Sequence, residues 1–163
     1  MLDKDYEAVT DRLVEWIGEK IKAAGCQGAV VGLSGGIDSA VTAVLCQRAV
    51  PDNMLGLIMP CESNPQDKED AIKVADKFNI DYKVLDLEST FHSLLAEIEV
   101  EEADDKLAKA NIKPRLRMTA LYYYANLRNS LVIGTDNRSE LKLGYFTKYG
   151  DGGIDLTPLG GLV

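Results

Sequence analysis

The chain has 163 residues, 46% hydrophobic and 27% charged, which predicts one globular domain able to bury roughly two-thirds of its surface. A net charge of −8 opposes nucleic acid as the main partner, and no apolar run approaches the ~20 residues that span a bilayer. Cys26, Cys46 and Cys61 are odd in number and widely spaced, and Met1-Leu2-Asp3-Lys4-Asp5 lacks a basic-then-apolar leader; both predict reduced thiols in the cytoplasm rather than disulfides or a zinc site.

From about Asp3 to Ala24, residues Tyr6, Val9, Leu13, Ile17 and Ile21 recur at three- and four-residue spacing, an amphipathic helix closed by Gly25. A strand follows over about Gln27 to Leu33, then a glycine-rich turn and an apolar helix ended by Pro51. Cys46 falls in that helix as a core residue. Met54 to Met59 reads as a second strand. Ser63, with Pro65 and Gln66 after it, has the form of a capping box for a helix running to Phe78. Ile80 to Leu87 alternates as a third strand, and a helix from about Ser89 to Ile98 leads into the acidic run Glu97 to Asp105, a solvated connection. His92 in that helix is given a structural role.

Ala103 to Arg128 is helical, with Pro114 starting a new helix and Tyr122-Tyr123-Tyr124 packing it on two sides. Ser130 to Gly134 is a fourth strand, and Asn137 to Leu143 a short helix before a glycine-rich end. There is no internal repeat. Strands alternating with helices predict an α/β fold, a mainly parallel sheet with helices on both faces, as a single domain over 1–163. Ligands bind such folds beyond the carboxyl ends of strands, where the strand order reverses. With strand one between strands two and four, the Ser34 loop and Gly134-Thr135 would face each other across one cleft.

The stretch Gly32-Leu33-Ser34-Gly35-Gly36-Ile37-Asp38-Ser39 carries the strongest signal of chemistry. On a strand-to-helix turn, open backbone N–H groups and the helix dipole attract an anion. Two adjacent glycines let the backbone wrap a phosphate closely. Ser34 and Ser39 add hydroxyls, and Asp38 a carboxylate suited to holding Mg2+ against phosphates. The loop has no lysine, so it is not the Gly-x-x-x-x-Gly-Lys-Ser/Thr pattern. Ser-Gly-Gly-x-Asp-Ser instead resembles the loop of enzymes that cleave ATP between its α- and β-phosphates. The plainer alternative is a turn that only joins strand to helix.

Three later clusters add to it: Asn111-Ile112-Lys113-Pro114-Arg115-Leu116-Arg117-Met118, Gly134-Thr135-Asp136-Asn137-Arg138-Ser139-Glu140, and Tyr145-Phe146-Thr147-Lys148-Tyr149-Gly150-Asp151-Gly152-Gly153-Ile154-Asp155. Together with the loop they resemble the NAD synthetase family, ammonia-dependent enzymes that amidate nicotinic acid adenine dinucleotide (deamido-NAD). The resemblance runs from near Met1 to the end. It implies an adenine-nucleotide alpha-hydrolase-like fold, a Rossmann-like three-layer α/β/α arrangement, in a cytoplasmic homodimer. It implies ATP contacts at Gly32, Leu33, Ser34, Gly35, Gly36, Ile37, Asp38, Ser39 and Thr135. Mg2+ would be held by Asp38 and Glu140, and deamido-NAD by Arg115, Lys148 and Asp155. Arg117 is a weaker candidate, because two residues along a helix it faces another side.

The implied reaction activates the substrate carboxylate as an acyl-adenylate with loss of pyrophosphate, after which ammonia displaces AMP. No protein nucleophile is required. None of the three cysteines sits in a glutamine-hydrolysing setting, so ammonia is the expected nitrogen donor. Alternatives stay open for single residues: Arg115 and Lys148 as surface cations, Glu140 and Thr135 as caps, Asp155 as a brace for a glycine-rich turn. Family members continue beyond Pro158-Leu159-Gly160-Gly161-Leu162-Val163 with a basic segment and further helices, so the chain reads as lacking the family's C-terminal segment. Two other classes remain, a nucleotide-binding module without turnover and another enzyme with the same loop, such as a tRNA-thiolating one.

Overall fold

The computed structural model describes residues 5–98 and 106–162. The first helix, α1 (Tyr6–Ala23), starts where the Asp5 carboxylate accepts the Ala8 N–H and ends in a turn carrying Lys20 and Lys22, charges that suit each end of the helix dipole. Strands β1 (Gly28–Gly32), β2 (Met54–Ile58), β3 (Tyr82–Val84) and β4 (Ser130–Ile133) are all parallel, in the order β3-β2-β1-β4. Helices α2 (Ile37–Ala49), α3 (Pro65–Lys77), α4 (Glu88–Glu97), α5 (Lys106–Ala110), α6 (Ile112–Leu127) and α7 (Arg138–Leu143) fall between and after them.

Alternation along the strands builds the layers. Ala29, Val31, Met54, Ile58 and Ile133 point to one face, where Ile17 and Ile21 of α1, Ala43 and Cys46 of α2, and Ala71 and Ala75 of α3 cover them. Val30, Leu55, Leu57 and Val132 point to the other, under Phe91 of α4 and Ala125 of α6. Both faces of every central strand are therefore apolar, as a parallel sheet requires. Cys46 is core as expected, and burial pushes its thiol up to about 12. All three cysteines are free.

Several boundaries differ from the sequence reading. Asn64, not Ser63, caps α3: its side chain accepts the Gln66 N–H, while the Ser63 hydroxyl serves the Cys61 backbone. The third strand shortens to the three ladder residues Tyr82–Val84 at the sheet edge, flanked by single hydrogen bonds from Gly56 to the Asp81 carbonyl and from Leu85 to the Ile58 carbonyl. Pro114 does not start a helix. The break falls at Asn111, and Pro114 sits within the first turn of α6, where its missing N–H has no partner to lose. Of the tyrosines, Tyr122 and Tyr124 pack against the core, but Tyr123 is 64% exposed, so that run does not pack on two sides throughout. The expected helix starts at Asp3 and Ala103, and most of the acidic run, lie outside the described residues.

Candidate active site

The strand order reverses between β1 and β4, and the loops after those two strands open on the same side of the sheet. After β1, Gly35 takes φ +85° and lies so close to the first turn of α3 that a Cβ would sit 2.4 Å from the Asp67 carbonyl oxygen. Gly36, extended at φ −80° and ψ 161°, is the N-cap of α2 and supplies no side-chain cap. The first N–H groups of α2 thus stay open to a ligand anion.

The two serines of this loop have different tasks. Ser39 is 3% exposed, its hydroxyl donating to the Gly36 carbonyl at 2.9 Å while its oxygen accepts the Ser34 N–H and the Ser34 hydroxyl. It is the clasp that shapes the loop, and Ser34 is the exposed hydroxyl at the mouth.

After β4, Gly134 passes so close to Ile154 that any Cβ would collide with it. Asn137 then caps α7: its side-chain oxygen accepts the N–H groups of Ser139 and Glu140, and the Glu140 carboxylate accepts the Asn137 N–H at 3.0 Å. Its side-chain amide also donates to Asp38 at 3.3 Å. The glycine-rich end folds back along the free edge of β4. Gly134 donates to the Leu156 carbonyl, and Asp155 donates its N–H to the Val132 carbonyl. The Asp155 carboxylate accepts the Val132 N–H at 2.8 Å and the Tyr122 hydroxyl at 2.9 Å. Burial and this bond together push the Tyr122 phenol up to about 12.

Two adjoining cavities result. The larger, about 650 Å³, runs from Ser34 along an apolar wall of Met59, Met118, Leu121 and Ile154, with Lys68 and Arg117 among its charged groups. The smaller, about 200 Å³, is lined by the start of α2 together with Asp38, Asp136, Glu140 and Asp151. Ser34, Thr135 and Asp151 belong to both. Burial, with Asp151 and Glu140 nearby, pushes the Asp136 carboxyl up to about 6.

Among the described residues, no three His, Cys, Asp or Glu gather closely enough to hold a metal by themselves. Asp38 and Glu140 nevertheless present hard oxygen donors to one small cavity. That fits Mg2+, which is commonly held by one or two carboxylates together with substrate phosphates.

The sequence-predicted residues divide accordingly. Gly32, Leu33, Ser34 and Thr135 line the larger cavity, and Gly36, Ile37, Asp38, Ser39 and Glu140 the smaller. Gly35 shapes the loop from behind. Glu140 is also a helix cap, through one of its oxygens. Arg115 and Lys148 meet each other, the guanidinium donating to the Lys148 carbonyl at 3.2 Å, but on the outer rim rather than in either lining. Asp155 has both carboxylate oxygens engaged in bracing the loop. Arg117 lines the larger cavity, tied to the Met59 carbonyl and the Ser63 hydroxyl.

Sequence reasoning passed over Asp136, Asn137 and Asp151. The one available signal was their place inside two dense motifs. His92 lies outside both linings, exposed, with Glu62 and Glu88 at 3.5 and 4.0 Å.

The NAD synthase family model matches residues 9–163. An NH3-dependent NAD+ synthetase of Carboxydothermus hydrogenoformans is 51% identical over 160 residues, covering 97% of this chain and 66% of that relative. The solved NH3-dependent NAD synthetase of Campylobacter jejuni superposes with a TM-score of 0.90 at 41% identity, covering 98% of this chain and 69% of the other. The structure of an NMN synthetase from Francisella tularensis gives a TM-score of 0.92 at 37% identity, covering 98% and 66%. The chain thus spans about two-thirds of the length of the relatives it matches.

Proposed function

Because the chain belongs to the NAD synthase family, we propose that it amidates nicotinic acid adenine dinucleotide, consuming ATP and ammonia and releasing AMP and pyrophosphate. One observation carries the reading: the uncapped start of α2 and the Asp38–Glu140 pair face one small cavity that opens into a cleft of nucleotide size.

A carboxylate is a poor electrophile, since its charge repels a nucleophile and oxide is not a viable leaving group. Transfer of the adenylyl group of ATP to the carboxylate oxygen supplies AMP as a leaving group, and ammonia then displaces it. The chain contributes position and charge neutralisation. The α2 N–H groups and the Ser34 hydroxyl would hold the phosphates, with Thr135 on the opposite wall. Asp38 and Glu140 would hold Mg2+, which when bound neutralises phosphate charge. Arg115, Lys148 and Asp155 would bind the dinucleotide, the first two from the rim and Asp155 from a braced position. The three free cysteines suit a reducing, cytoplasmic setting. Tyr123 and Leu127 of α6, both well exposed, give a second copy of the chain apolar surface to cover in a homodimer. No described helix is long and apolar enough to cross a membrane.

The test is release of pyrophosphate and AMP from ATP with Mg2+ and ammonium, with and without nicotinic acid adenine dinucleotide. Formation of NAD that depends on the dinucleotide is the expected result. ATP binding without dinucleotide-dependent release would overturn it in favour of a binding module. The likeness to an NMN synthetase makes nicotinic acid mononucleotide the competing substrate, and a third arm with that nucleotide decides between them.

A further inference from the structure

We infer that Asn137 is the positioning residue that holds Asp38 and Glu140 in one geometry and thereby sets the affinity of the small cavity for a divalent cation. The inference rests on the proposed role of those two carboxylates. They come from different helices, α2 and α7, and Asn137 touches both.

The Asn137 amide has one orientation open to it. The Asn137 side-chain oxygen accepts two N–H groups, from Ser139 at 2.9 Å and Glu140 at 3.1 Å, so that end must be the oxygen. The amide nitrogen is then forced towards Asp38, 99 positions away in the chain, where it donates at 3.3 Å. The Asn137 backbone N–H meanwhile fixes one oxygen of Glu140 at 3.0 Å. One residue therefore orients both carboxylates with donors.

Helix capping alone does not call for asparagine. Serine and aspartate cap about as well, yet ionised aspartate carries no donor, and the serine hydroxyl, with no amide group beyond the capping oxygen, is too short to reach Asp38. Aspartate would set a second carboxylate against the first. Asparagine combines an acceptor for the cap with a donor for Asp38. Groups that orient metal ligands in this way change metal affinity by about 10- to 100-fold when removed.

Asn137→Ser separates the two tasks, since it keeps a capping oxygen and removes the amide N–H that reaches Asp38. The experiment is Mn2+ binding to the chain, followed by the EPR signal of the free ion, with thermal unfolding measured in parallel. Asn137→Ser should unfold near the parent Tm yet bind Mn2+ at least about 10-fold more weakly. Asn137→Thr, the second variant, should do the same. Mn2+ affinity within twofold of the parent in either variant, with Tm kept, overturns the inference. A large fall in Tm with both overturns it too, because the amide would then be holding the fold.

Asp38→Asn and Glu140→Gln separate this inference from the reading beneath it. Should they leave Mn2+ affinity unchanged, the cation reading falls and the inference with it. Should they weaken it while Asn137→Ser does not, the inference alone falls.

Discussion

At the scale of residues, Asp136 is placed where its charge is unwelcome. It is 7% exposed, faces Asp151 and Glu140, and its carboxyl is raised to about 6. A raised carboxyl means that the folded state binds the proton more tightly than the unfolded state between about pH 4 and 6. Stability falls as pH rises through that window, and the loss is complete above it. Glu62 and Asp70 act in the opposite sense, because hydrogen bonds from Lys113 and Lys73 hold their carboxyls low. Comparing a variant with its parent isolates Asp136 from both. In buffer without divalent cations, Asp136→Asn should be more stable than the parent at pH 7, by up to roughly 3 kcal/mol, with the advantage gone by about pH 4. Urea unfolding at the two pH values measures it, and an equal difference at both would sink the assignment. That Asp38, Glu140 and Thr135 would meet around one cleft was legible in the sequence through the motifs that carry the family resemblance. A bracing role for Asp155 was among the sequence alternatives, but its partners were not legible, because Val132 and Tyr122 lie 23 and 33 positions away and only folding brings them together.

At the scale of elements, helices and strands were readable in type and order, and their ends were not. Ser63 and Asn64 are both competent caps, and the backbone around Cys61 decides between them by taking the serine hydroxyl for itself. Ile80 to Leu87 alternates over its whole length, but the ladder ends with β2 at Ile58, and beyond it the segment is held by a single hydrogen bond from Leu87 to the Pro60 carbonyl. Glycines need the same distinction between local conformation and neighbours. Gly25 closes α1 at φ +71° with nothing within 4 Å of a would-be Cβ, whereas Gly35 combines φ +85° with the Asp67 carbonyl 2.4 Å away. Gly25→Ala should therefore cost about 1–2 kcal/mol from backbone strain alone. Gly35→Ala carries the same strain and must also push α3 aside, so its loss should exceed that of Gly25→Ala and be accompanied by weaker ATP binding. Chemical denaturation and nucleotide titration of the pair check this. Equal losses, with ATP binding intact in both, would mean that the loop does not depend on contact with α3.

At the scale of the whole molecule, the cleft belongs to no single element. Its walls are the turn after β1, the Pro60–Asn64 segment leading to α3, the start of α6, the turn after β4 and the glycine-rich return. The parallel order β3-β2-β1-β4 brings these together; the sequence reading supposed strand one between strands two and four and left strand three unplaced, and the lining of the larger cavity by α6 through Met118 and Leu121 needed the structure. A ligand that spans such walls binds the folded chain and has no counterpart site in the unfolded one. At 100 times its Kd it should add about 2.7 kcal/mol of stability. For a domain of this size each kcal/mol moves Tm by about 2–4 °C, so saturating ATP with Mg2+ should raise Tm by roughly 5–11 °C. The part of that rise due to Mg2+, read as the difference between ATP with the metal and ATP with EDTA, should shrink sharply in Asp38→Asn. The part due to ATP alone should survive, because the α2 N–H groups and the Ser34 hydroxyl are untouched by that change. A Mg2+ increment that persists undiminished in Asp38→Asn would move the cation out of the small cavity and leave the phosphate loop as an anion site only.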